Sequence, residues 1–248
     1  MSFTSCCFKT FDWDGTPSGT ETKLNNNDCY VTGDNKDAAV LFIHDVFGWK
    51  YRNNRLLADH YAREANVTVY VPDFFHGWVV DYKLVEEGRF HEIDLKTFAA
   101  DNARPVRGPE IEAAAKTLKG ELGYKRLAAV GFCYGGWAVC ELASKKHTTP
   151  LIDAASLVHP SWMTEADIDN LAVPVQFLAP EIDQTFTPEL KAHAFATLVK
   201  SKLPFEYVHY PNITHGNLVR GSQQNPLERE AMASAKNSAS AWFRKYLH

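Results

Sequence analysis

The chain has 248 residues, a formal net charge of -4, and 45% apolar and 23% charged residues, which is the make-up of a folded α/β-sized domain and not of a disordered or fibrous chain. So mild an acidity offers no electrostatic footprint for nucleic acid or an anionic membrane surface. No apolar run approaches the roughly 18–20 residues that span a bilayer.

The N-terminus, Met1-Ser2-Phe3-Thr4-Ser5-Cys6-Cys7, has neither the basic region nor the apolar region of a secretory leader. Residues 1–37 are polar and rich in turn formers and read as turns and short antiparallel strands, with a weak period of two at Thr20–Leu24. Short apolar runs then follow at Ala38–Ile43, Val67–Val71, Leu127–Phe132, Ala154–Val158, Val173–Leu178 and Phe205–Tyr210. Runs of this length predict strands buried on both faces of a parallel sheet. Helical stretches separate them at Asn54–Glu64, Arg107–Leu122, Trp137–Ser144 and Pro188–Ser201. The last helix starts at Asn225-Pro226-Leu227-Glu228, with Asn as N-cap, Pro at the first position and Glu at the third, and runs to Tyr246. The alternation predicts one doubly wound α/β domain over residues 1–248, a mostly parallel sheet flanked by helices. Residues 77–105 interrupt it and read as an excursion or lid. In such sheets ligands bind beyond the carboxyl ends of the strands, so the residue after each apolar run matters most.

Five cysteines are present: Cys6, Cys7, Cys29, Cys133 and Cys140. An odd, sparse set in a chain of this size predicts free thiols in a reducing cytosol rather than a disulfide framework. One of them stands at a strand end, in Gly131-Phe132-Cys133-Tyr134-Gly135-Gly136. Strand, Gly-x-Cys-x-Gly and helix is the pattern of a nucleophile elbow, with Cys where most such enzymes place Ser. A side chain at either outer glycine would collide with a neighbouring element. The helix that follows directs its positive end at the sulfur and would stabilise a thiolate. A buried structural Cys is the alternative, and the flanking glycines favour the nucleophile.

A thiol nucleophile needs a base, and the base needs an orienting acid. Of ten histidines, His215 lies between the last apolar run and the final helix. Asp183, after the run that ends at Leu178, is the acid, with Glu181 as competitor. His209 and His215 find no further ligands at metal-binding spacing, so neither a metal nor a cofactor is expected. The first long run ends in His44-Asp45-Val46-Phe47-Gly48. In an α/β-hydrolase fold this loop supplies one oxyanion-hole amide and the residue after the nucleophile supplies the other, here Val46 and Tyr134.

On these residues, together with Val71-Pro72-Asp73-Phe74-Phe75 and His215-Gly216, the sequence resembles the dienelactone hydrolase (carboxymethylenebutenolidase) family, across roughly residues 25–245. The Cys-Cys opening, Asp14-Gly15-Thr16-Pro17 and Val158-His159-Pro160-Ser161 resemble its fungal branch. The resemblance implies that Cys133 attacks a lactone or related ester carbonyl and that water, helped by His215, releases the acid from an acyl-enzyme. It implies that Asp45 takes the place of the Glu that helps ionise the thiol in bacterial members. Where those members carry a carboxylate-binding Arg, this chain reads His76-Gly77-Trp78, and Arg220 is the candidate replacement. His76, Trp78, His159 and Phe74 complete the expected substrate contacts. The expected rim is aromatic (Trp49, Phe74, Trp78, Tyr134, Trp162 and Phe186), which points to a larger or less acidic substrate than a simple dienelactone. Thioester cleavage or a rearrangement on the same three residues is the alternative activity, and a non-catalytic binding protein a more distant one. The partner is a small molecule, and the protein is expected as a monomer or homodimer.

Overall fold

The computed structural model describes residues 11–81, 84–85 and 87–248, so Cys6 and Cys7 lie outside the described residues, as do parts of the excursion. Eight strands form one sheet: β1 (Thr20–Leu24), β2 (Asn27–Thr32), β3 (Ala38–Ile43), β4 (Thr68–Pro72), β5 (Arg126–Phe132), β6 (Ala154–Val158), β7 (Val175–Ile182) and β8 (Phe205–Thr214). Their spatial order is β1-β2-β4-β3-β5-β6-β7-β8. β1, β2 and β4 pair antiparallel, and every pair from β4 onward is parallel. The expected α/β-hydrolase architecture is therefore present.

Helices α1 (Arg52–Ala65), α2 (Leu95–Asp101), α3 (Arg104–Gly120), α4 (Gly135–Leu142), α5 (Glu165–Asp169), α6 (Pro188–Ser201), α7 (Asn217–Arg220) and α8 (Pro226–Leu247) connect the strands. Their ends follow local rules. Thr187 Oγ1 accepts from Leu190 N at 3.3 Å to start α6, and Asn225 Oδ1 accepts from Leu227 N at 3.1 Å to start α8. β3 reads Ala-Ala-Val-Leu-Phe-Ile without a polar residue because both of its faces are covered. Ala39, Leu41 and Ile43 join the core under α3, α4 and α6, while Ala38, Val40 and Phe42 join the core under α1 and α8. Alternate Cβ atoms point to opposite faces, so a continuous apolar run serves two cores at once.

β3 sits centrally, with β4 on one side and β5 on the other. The chain reverses its winding there, and at such a switch point the carboxyl ends of the strands are where α/β sheets place their ligands. Beneath this point Phe42 of β3 and Phe132 of β5 stack with ring centroids 4.5 Å apart, each fully buried and contributing roughly 1.5–3 kcal/mol by burial. Among the described residues no helix is long and apolar enough to cross a membrane.

The expected aromatic rim is mostly core. Trp49, Phe74, Tyr134, Trp162 and Phe186 are buried, and Trp78 alone of the six is half-exposed. Phe75, Trp78, Phe98, Tyr134 and Trp162 instead pack on one another, with centroids 4.2–6.3 Å apart. Apolar area of this size gains more from mutual burial than from lining an open mouth.

Candidate active site

Cys133 leaves β5 with φ of 48°, a left-handed backbone that costs a non-glycine residue of order 1–3 kcal/mol. The surroundings enforce it. A Cβ at Gly131 would come within 2.3 Å of Gly135 O, and a Cβ at Gly135 within 2.4 Å of Ile43 O. Strand β5, the turn and α4 thus close on each other at distances that only glycine permits. Cys133 N donates to Val158 O at 3.3 Å, while Cys133 O accepts from Gly136 N at 2.9 Å and from Ser161 N at 2.7 Å. These ties strap the elbow to the loop after β6.

Asp183 and His215 come from the next two strand ends. The β7–β8 register shifts between Pro180 and Ile182, an irregularity of the kind that re-aims a side chain. His215 N donates to Ile182 O at 2.9 Å, and His215 Nδ1 lies 2.8 Å from Asp183 Oδ2. Neither side chain has exposed surface. Asp183 Oδ1 accepts from Thr185 N at 2.8 Å, Thr185 Oγ1 at 2.8 Å and Phe186 N at 2.9 Å. Burial pushes the Asp183 carboxyl up, but the His215 charge and these hydrogen bonds outweigh it and hold the group well below the usual carboxylate range. A depressed carboxyl gives stability that is complete above its unfolded value near 4 and is lost as pH falls through the folded value. In urea unfolding, the wild type is therefore expected to exceed Asp183→Asn most above about pH 5. The gap should close by on the order of 1–2 kcal/mol towards pH 2, and a gap that widens in acid would contradict the assignment of Asp183 as the ionised partner.

Two hydroxyls join these groups to the thiol. Cys133 Sγ lies 3.4 Å from Ser161 Oγ, Ser161 Oγ donates to Thr185 Oγ1 at 2.9 Å, and Thr185 Oγ1 lies 3.2 Å from His215 Nδ1. Cys133, Asp183 and His215 thus belong to one buried cluster. Sequence reasoning missed Ser161 and Thr185 as members, although both stand in loops just after predicted strands.

Asp45 is held elsewhere. Its Oδ2 lies 2.7 Å from Arg220 Nε, with both side chains fully buried, and its Oδ1 accepts from Phe47 N at 3.1 Å. The hydroxyl 3.4 Å from the sulfur is that of Ser161, while the Asp45 carboxylate is engaged by Arg220 and by Phe47 N. The Arg220 guanidinium also lies over the Phe47 ring, 4.5 Å from its centroid. A Cβ at Gly216, where φ is 87°, would reach within 2.3 Å of the guanidinium, so the glycine after His215 makes room for it. Arg220 is thus paired with Asp45 inside the protein and has no exposed surface to offer a substrate carboxylate.

Val46 and Tyr134 stand at the two strand ends expected of them, both buried. His159 is fully buried, its ring 5.0 Å from that of His215. Burial, then the His215 and Arg220 charges, hold it well below its ordinary value, so it is a neutral imidazole. Phe74 is fully buried. His76 is exposed and its Nε2 meets Glu110 at 2.7 Å. Together with Phe75, Trp78 and Arg107 it lines a cleft of about 450 Å³. Phe75 in turn packs on Tyr134 at 4.9 Å, which sets the cleft one ring away from the elbow.

Cys29 and Cys140 are buried and form no disulfide. Burial pushes the Cys29 thiol up to about 12 and the Cys140 thiol higher still, so both are inert at neutral pH. Among the described residues Glu112, Glu141 and His147 lie close enough to share an ion, but Lys146 already pairs with both carboxylates. The competitor Glu181 is exposed and accepts from Asn212 N at 2.6 Å.

The dienelactone hydrolase family model matches residues 28–247. The chain is 26% identical over 250 residues to hydrolase tropI of Talaromyces stipitatus, covering 98% of this chain and 96% of that one. It is 30% identical over 245 residues to the human carboxymethylenebutenolidase homolog, covering 92% and 91%. The dienelactone hydrolase of Anabaena variabilis superposes with a TM-score of 0.66 at 15% identity, covering 93% of this chain and 98% of that one. A match that begins in β2 and ends at the last residue of α8, on the fold those relatives require, makes the chain a member of the dienelactone hydrolase family and a hydrolase of carboxylic esters or lactones.

Proposed function

We propose that the protein opens a lactone, or cleaves a related ester, through an acyl-enzyme on Cys133. The observation that carries this reading is the convergence of three strand ends on one buried cluster, with Cys133 at an elbow and Asp183 on His215 Nδ1. His215 takes the thiol proton, and the sulfur forms a bond to the carbonyl carbon. The oxyanion is met by the amides of Val46 and Tyr134. Collapse breaks the bond to the ring oxygen, which leaves as an enolate or alkoxide and receives the proton back from His215. Water deprotonated by the same imidazole then attacks the thioester carbon and returns sulfur to the thiol. Asp183 holds the imidazole in the tautomer with the proton on Nδ1.

The substrate enters past Phe75, Trp78 and His76, and the described residues of the excursion, 87–105 among them, act as the lid over that entrance. A free thiol nucleophile suits a reducing compartment, and on that ground we place the protein in the cytosol. Turnover of a panel of lactones, aryl esters and acyl thioesters tests the substrate class. Lactones and aryl esters are expected to have the higher kcat/KM. A preference for thioesters by more than about tenfold would move the reading to thioester cleavage, and binding without turnover of any would move it to a binding protein.

A further inference from the structure

We infer that Ser161 and Thr185 form a one-way hydrogen-bond chain that holds the resting Cys133 as a neutral thiol, and so set how readily it ionises. The direction follows from the far end. Asp183 can only accept, and it accepts from Thr185 Oγ1. With its proton committed to Asp183, Thr185 accepts from Ser161 Oγ. With its own proton committed to Thr185, Ser161 offers the sulfur 3.4 Å away only a lone pair. The bond across that gap is therefore S–H to Oγ, which needs the proton on sulfur. The two hydroxyls come from the loops after β6 and β7, and Ser161 is fixed by its backbone bond to Cys133 O.

Among the described residues, the charged and titratable groups around this chain include Lys191 and Tyr207, which face Asp183. His44 and Asp45 come from the end of β3, the latter paired with Arg220 of α7. His159, Asp183 and His215 come from the ends of β6, β7 and β8. The Tyr134 hydroxyl at the start of α4 donates to Asn102 O. Of these, Asp183 terminates the chain. The consequence for the reaction is a gate. Before attack the thiol leaves Ser161 to hand its proton to His215, and a thiol held neutral in the absence of substrate resists alkylation and oxidation. Ser161 and Thr185 are positioning residues, acting through the sulfur.

This inference rests on Cys133 being the attacking group, and it is read by alkylation rate, with turnover used only to test that reading. The rate of Cys133 alkylation by iodoacetamide is followed from pH 5 to 9 in the full-length protein by peptide mass spectrometry. In Ser161→Ala the neutral thiol loses its acceptor. In the isosteric Thr185→Val, Ser161 is freed to turn its proton onto the sulfur. Both are expected to alkylate about fivefold faster at pH 7, with the profile moved to lower pH. Thr185→Ser, which keeps the hydroxyl, is expected to follow the wild type. Profiles for Ser161→Ala and Thr185→Val that superimpose on the wild type, or move to higher pH, would overturn the inference. Wild-type protein fully alkylated at Cys133 that still turns over substrate would instead overturn the nucleophile reading, and the gate with it.

Discussion

Replacing Cys133 with alanine is expected to lower kcat/KM by roughly 10^4- to 10^6-fold, because the covalent path is lost and only binding and oxyanion stabilisation remain. The fold should survive. The sulfur's side-chain partner is Ser161, and the elbow is held by backbone bonds and glycine contacts that the substitution leaves in place. Stability by urea unfolding is thus expected to change by about 1–2 kcal/mol at most. The neighbouring hydroxyl sharpens the test. Ser161 is also buried and linked through Thr185 to Asp183, so retained turnover in Cys133→Ala would pass the nucleophile's role to it.

The second large effect falls on stability. Asp45 and Arg220 are both without exposed side-chain surface and meet at 2.7 Å. Removing one partner strands a charge in the interior at a cost of about 3–5 kcal/mol. Arg220→Met is expected to lose that much in urea unfolding and to lower Tm by roughly 10 °C. The double variant Asp45→Asn, Arg220→Met should regain most of the loss, since no charge is left unpaired and Asn can still accept from Phe47 N. Additive losses in the double variant would show that the pair is not coupled as its geometry implies.

How far the sequence could be read depends on how local the signal is. β3, β6 and α6 begin and end where their sequence patterns place them, at Ala38–Ile43, Ala154–Val158 and Pro188–Ser201, because two-faced burial and a proline in the first helical turn leave marks in a few consecutive residues. β8 runs four residues past its apolar run, to Thr214. It is an edge strand whose last residues, Pro211, Asn212 and Thr214 around the buried Ile213, form no apolar run, and its far end is fixed by the pairing of Thr214 with Ile182 of β7. The bounds of β2 are not legible, because Asn27-Asp28-Cys29-Tyr30-Val31-Thr32 forms no apolar run, although β2 pairs antiparallel with β1 just before it in the chain and with β4. α4 begins at Gly135 rather than Trp137, since tertiary contact overrides the low helix propensity of its glycines.

The site divides in the same way. Cys133, Asp183 and His215 are legible because each stands at a strand end, and strand order brings those ends together. The engagement of Asp45 by Arg220 is not legible, because it depends on the four-residue helix α7 turning Arg220 inward. Nor is the Ser161–Thr185 link, which comes from two irregular loops with no periodic signature. The aromatic residues misled for a simpler reason: composition says that rings are present but not which of them face water.

The central claim is a covalent intermediate on one sulfur. The protein is mixed with a slowly released aryl ester, quenched in acid within the first turnovers, and its peptides are mapped by mass spectrometry. The account predicts one acyl group on the peptide containing Cys133, appearing in step with the burst of phenol and absent in Cys133→Ala. A full burst with Cys133 unmodified, or with the acyl group on Ser161, would contradict it.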